Sequence, residues 1–147
     1  MYQIQRLREI ELLCREGEPL EGETATWFAD SLSAFLNKQV ASLEEALGLK
    51  MGRGGVPWWR EEAIRQRDAA LRALRGEFFE DLSVNAAARE ICALAKRYAG
   101  CAWPHDRDEA ELPGRHLGKP QEWLWRAFVS GATMPLGERQ LRSILAG

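Results

Sequence analysis

A chain of 147 residues is the size of one ordinary domain, with 46% hydrophobic and 29% charged residues and a net charge of −2. These values exclude a polycation, a disordered tail and a disulfide-stapled secreted scaffold. No apolar run approaches the roughly 20 residues that span a bilayer, and the charged, amphipathic start Met1-Tyr-Gln-Ile-Gln-Arg-Leu-Arg-Glu9 is not expected to act as a signal peptide. The three cysteines, Cys14, Cys92 and Cys101, have no regular spacing, so reduced thiols in a cytoplasm are expected. Arginine outnumbers lysine 16 to 4, a bias that points to a GC-rich bacterial genome.

Taken in chain order, every long segment carries helical periodicity. Ile4, Leu7, Ile10 and Cys14 form the first stripe, which Gly17 to Gly22 ends. Thr24 or Thr26 caps a second helix expected to run to Gly48, with Phe28, Leu32, Phe35, Leu36, Leu43 and Leu47 on its apolar side. The Gly-rich stretch Lys50-Met-Gly-Arg-Gly-Gly-Val56 then reads as a connector. Pro57 suits the first turn of a third helix, Glu61 and Glu62 complement its dipole, and its stripe is Ile64, Leu71, Leu74 and Phe78.

A fourth helix spans about Ser83 to Ala99, with Val84, Ala88, Ile91, Ala95 and Tyr98 inside. Gly100 and Pro104 bound it, and residues 104–119 read as a long charged surface loop. Pro120 opens a fifth helix with Leu124, Ala127 and Phe128 inside, stopped by Gly131. The last helix starts at Gly137 as N-cap. Leu136 and Leu141 form a hydrophobic staple there, Gln140 takes the capping-box position, and Leu141, Ile144 and Leu145 form the buried stripe. Nothing reads as a strand. The expected fold is all-α, a multi-helix domain of about six helices, organised as an N-terminal helical pair (1–47), a Gly-rich connector (48–57) and a helical core (58–147).

The charge is uneven. Residues 1–47 hold four basic and nine acidic groups, 48–76 seven and three, 77–113 four and eight, and 114–147 five and two. Alternating segments can pair within the fold, or the two basic segments can share a face that meets phosphate.

Four candidate sites follow from the motifs. Gly52-Arg-Gly-Gly55 lacks the preceding strand and the Gly-Lys-Ser/Thr ending of a Walker loop, and Pro57 stands where a dinucleotide fingerprint needs glycine. What remains is a connector whose Lys50 and Arg53, with Arg60 behind them, suit phosphate contacts. Glu122–Ser130 and Gly137–Ala146 suggest a helix-turn-helix, with Arg139, Gln140 and Arg142 exposed to read bases, although Gly131–Leu136 is longer than the usual turn of about three or four residues. Cys101, His105, Asp108 and His116 match no zinc spacing, and no nucleophile elbow or carboxylate pair stands out. No metal, cofactor or catalytic residue is expected.

The six tryptophans are the last feature. Trp58 and Trp59 point about 100° apart on a helix, and Trp123 and Trp125 about 200°, so neither pair fits wholly in a core. They are either core residues with an exposed edge or anchors at an interface. The expected function is a non-enzymatic helical binding module, a nucleic-acid-associated accessory protein of a bacterial mobile element or prophage. The alternative is an adaptor that docks on a protein, or on a second copy of itself, through Trp58, Trp59, Trp123 and Trp125.

Overall fold

The computed structural model describes residues 2–135 and 137–147 and is all-α. Among the described residues there is no strand, and eight α-helices follow one another: α1 Tyr2–Glu16, α2 Gly22–Leu36, α3 Leu43–Ala46, α4 Trp58–Phe78, α5 Val84–Gly100, α6 Trp103–Asp106, α7 Pro120–Val129 and α8 Glu138–Ala146, with a 3₁₀ turn at Gly114–His116 before α7. No helix is long and apolar enough to cross a membrane. The chain divides into two compact units, residues 1–61 and 62–147, with the division falling inside α4.

In the first unit, Ile4, Leu47 and Leu49 are buried together, and Leu7, Trp27, Phe28 and Trp58 pack around them. The second helix of the sequence reading does not run to Gly48. It ends at Leu36, and α3 is a separate short helix. The cause is local. Lys38 takes the left-handed conformation (φ 58°), and the N–H groups of Lys38 and Gln39 close back onto the carbonyls of Phe35 and Ala34 at 3.1 and 2.9 Å. That is a helix-terminating motif that usually recruits glycine. Ser42 then restarts the helix, its Oγ accepting the Glu45 N–H at 3.1 Å. Because of the break, Phe35, Leu36 and Leu43 of the expected stripe are exposed.

The second unit holds the larger core. Ala70, Leu71 and Leu74 of α4 meet Ala87, Ala88, Ile91, Cys92 and Tyr98 of α5, Leu124, Trp125 and Ala127 of α7, and Leu141, Ile144 and Leu145 of α8. Ser83 caps α5, its Oγ accepting the Ala86 N–H at 3.2 Å. Small residues at 87 and 88, both without exposure, leave room on α5, and α8 packs chiefly there. The carbonyls at the end of α8 are met by arginines of α4. Arg72 Nε donates to Ile144 O at 2.9 Å and Arg75 to Leu145 O at 3.4 Å, which favours the negative end of the helix dipole.

The α4 stripe is shifted from expectation. Ile64 and Phe78 are exposed, while Arg67 is buried. Arg67 donates to Thr133 O at 2.6 Å and pairs with Asp68 at 2.7 Å, so a charged side chain holds the segment between α7 and α8. The long aliphatic stem of arginine explains how it occupies an apolar position.

Candidate functional site

The Gly-rich connector is fastened at both ends. Leu47 and Leu49 are buried before it, and Trp58 packs on the same cluster after it. Between these anchors, residues 50–56 are all exposed. The connector is nevertheless a defined turn. The Gly55 N–H donates to Gly52 O at 3.0 Å, and Gly54 has φ 84°, a conformation that side chains with a Cβ avoid. A Cβ on Gly55 would sit 2.9 Å from Met51 Cβ and 3.2 Å from Gly52 O. Arg53 occupies the corner of this turn and is exposed, as are Lys50 and Arg60.

Pro57 lies just before α4, its carbonyl accepting the N–H groups of Arg60 and Glu61 at 3.0 and 3.2 Å. One residue on, the helical rotation separates the paired tryptophans. Trp58 turns inward, while Trp59 is 58% exposed. Their rings meet edge to face with centroids 6.0 Å apart, so the exposed indole is braced by the half-buried one. Trp59 forms one wall of an open hollow of about 230 Å³ whose other walls include Glu44, Lys50, Met51, Gly55 and Pro57. Lys50 and Trp59 therefore share a site. Glu44, which comes from α3, is the one acidic residue of its lining.

The remaining expected nucleic-acid residues lie in the second unit. Arg139, Gln140 and Arg142 are exposed on α8, while Leu141, Ile144 and Leu145 are buried, as the periodicity required. Among the described residues, α7 and α8 are not each other's principal packing partners. Residues 130–137 separate the two helices. α8 lies chiefly on α5, and α7 makes its main contacts with α5, α6 and the 3₁₀ turn. In a helix-turn-helix the two helices pack on each other across a short turn. Gly131 (φ 82°) turns the chain away after α7, Ser130 Oγ accepts the Ala132 N–H at 3.2 Å, and Arg67 ties Thr133 to α4. Gly137 is the N-cap of α8 without a side-chain cap bond. The Leu136–Leu141 staple involves Leu136, which lies outside the described residues.

The other tryptophan pair splits as well. Trp125 is only 7% exposed and belongs to the core, its indole N–H directed at Asp106 O (3.4 Å), so its expected role as an interface anchor is corrected. It faces inward because α5, α6 and the 3₁₀ turn all pack against α7. Trp123 is half-buried. Its N–H donates to Glu77 at 2.9 Å, and Arg126 lies 5.3 Å over its ring. It lines a shallow groove of about 370 Å³ between α4 and α7 with Gln66, Ala69, Arg126 and Val129.

Residues 104–119 are not simply a charged surface loop. Asp106 is fully buried, and His116 nearly so. Tyr98 donates to Asp106 Oδ2 at 2.9 Å, His116 Nε2 lies 2.7 Å from the same oxygen, and Arg115 pairs with Oδ1. Burial alone would favour the neutral acid. The hydrogen bonds of His116 and Tyr98, with the charges of Arg115 and His116, prevail and hold the Asp106 carboxyl below the usual carboxylate range. The Tyr98 hydroxyl is pushed well above its ordinary value by burial and by its bond to that carboxylate.

This polar node fastens the 102–119 segment to α5. It was missed because position in a Pro/Gly-rich stretch suggested exposure. The available signal was Tyr98, a tyrosine on an apolar stripe whose hydroxyl needed a partner. His105 is exposed and takes no part in the node. Among the described residues, no three histidine, cysteine or acidic side chains are grouped to hold a metal.

No protein-family model, no curated protein and no solved structure matches the chain.

Proposed function

We propose that the protein is a nucleic-acid-associated binding module that contacts the phosphate backbone through its Gly-rich turn. The observation that carries this reading is the shared site of Lys50 and Trp59, with Arg53 at the exposed corner of the neighbouring turn and Arg60 exposed at the next position of α4. Cations supply sequence-independent affinity for phosphate, and an aromatic face supplies a surface for bases. The turn is held by glycine geometry and by buried leucines before it, so its backbone is formed before binding. Because α8 packs chiefly on α5 rather than on α7 among the described residues, the reading rests on backbone contacts by the first unit rather than on base readout in a major groove.

The test is a titration of labelled DNA and RNA fragments at several salt concentrations, followed by anisotropy. Binding at low salt should weaken steeply as salt rises. Arg53→Ala should reduce the log–log salt slope by about 0.7 on single strands or about 0.9 on duplex. Arg89→Ala, an equal change of charge on the exposed side of α5, should leave the slope unaltered. No binding at the lowest salt would remove this reading and leave the helical adaptor, for which the α4–α7 groove beside Trp123 is the place to look.

A further inference from the structure

The hollow beside Trp59 has features that backbone contact does not require. Its lining includes an indole that is 58% exposed and in edge-to-face contact with Trp58, an aromatic surface on which a flat partner can stack. Gly55 is a close-packed wall in which even a methyl group would collide with Met51. The lining that holds Lys50 and Trp59 also includes an acidic residue, Glu44. A carboxylate repels phosphate, so a site for the backbone alone gains nothing from it. A carboxylate does accept hydrogen bonds from an exocyclic amino group, as acidic side chains do with the N4 amino group of cytosine.

Stacked bases in a duplex hide their faces, whereas unpaired bases present them. Resting on the nucleic-acid reading above, we propose that this hollow is a subsite for a single unpaired base bearing an exocyclic amino group. The base stacks on Trp59, its amino group donates to Glu44, and its flanking phosphates lie at Lys50 and Arg53. The nucleic acid recognised is therefore single-stranded, and cytosine or adenine is preferred over thymine or uracil at this position.

The experiment compares oligo-dC, oligo-dT and a duplex of equal length with the full chain at one low salt concentration. Oligo-dC should bind at least about tenfold tighter than the duplex, a margin within the range that one stacked base supplies. It should also bind tighter than oligo-dT. Trp59→Ala should abolish the margin over duplex, Trp59→Phe should retain most of it, and Glu44→Gln should erase the preference for dC over dT. In the unaltered protein, bound oligo-dC should shield the exposed indole from acrylamide quenching, a readout that does not depend on any variant folding.

Equal affinity for duplex and single strand, with no shielding, would overturn the base subsite while leaving the phosphate reading intact. Equal affinity for dC and dT, with tight single-strand binding, would overturn the role of Glu44. Absence of binding to all three would bring down both readings.

Discussion

Leu71 shows how much a single position can be trusted from periodicity. It was placed on the α4 stripe by spacing, and its side chain is wholly buried among α4, α5, α7 and α8. Leu71→Ala should cost about 2–5 kcal/mol, because the cavity left in a rigid core adds to the lost transfer energy. Urea melts would check this, and a loss well under about 1 kcal/mol would mean that the site collapses freely.

Asp106 is the opposite case, a charged residue placed on the surface by sequence and found at the centre of a node. Its carboxyl lies below the ordinary carboxylate range in the folded chain. The folded state therefore releases this proton more readily than the unfolded state. The resulting stabilisation is complete above the unfolded value and is lost as pH falls through the folded one. Acid unfolding of wild type should show this loss, and Asp106→Asn should flatten it. At neutral pH, Asp106→Ala should be destabilising by about 1–3 kcal/mol, since it leaves the buried Tyr98 hydroxyl and the His116 ring without their hydrogen-bond acceptor. Guanidinium melts at pH 7 and at about pH 2, below the ordinary carboxylate range, would measure both effects.

At the scale of elements, helix types and the buried face of α8 were readable, because Leu141, Ile144 and Leu145 repeat at helical spacing. The break between α2 and α3 was not. Phe35, Leu36, Leu43 and Leu47 continue an apolar pattern across it, while the chain is turned by backbone geometry at Lys38 that the apolar pattern does not reveal. This yields a prediction. A lysine with φ 58° bears the steric cost of the left-handed region, about 1–2 kcal/mol, which glycine escapes at some cost in entropy. Lys38→Gly should thus stabilise the first unit by about 1 kcal/mol, as a rise in urea midpoint at unchanged slope. A drop in midpoint would mean that the lysine side chain contributes more than its backbone costs. The candidate site was half legible in the same way. The cations, the turn and the two tryptophans were visible in Lys50–Arg60, but the inclusion of Glu44 depends on α3, which exists only because the chain breaks after Leu36.

For the molecule as a whole, the two units differ in how much apolar surface supports them. Among the described residues, the first gathers Ile4, Leu47 and Leu49, whereas the second gathers residues from four helices. Local stability follows buried apolar contact. Amide hydrogens of α1 to α3 should therefore exchange through openings of lower free energy than those of α5 and α8. Native-state hydrogen exchange read by mass spectrometry would show two isotherms, and a single shared isotherm would mean that both units open as one.

The crossed indoles of Trp58 and Trp59 also carry an optical consequence. Chromophores 6.0 Å apart and nearly perpendicular couple their excited states, and coupled aromatic transitions lend circular dichroism to the same far-ultraviolet region in which helices absorb. The spectrum of this protein should contain a contribution from one side-chain pair, removed by Trp59→Phe without the loss of a single helical turn. Helix content judged from ellipticity alone would then be misread, and the same contribution would report the geometry of the hollow's wall without any label.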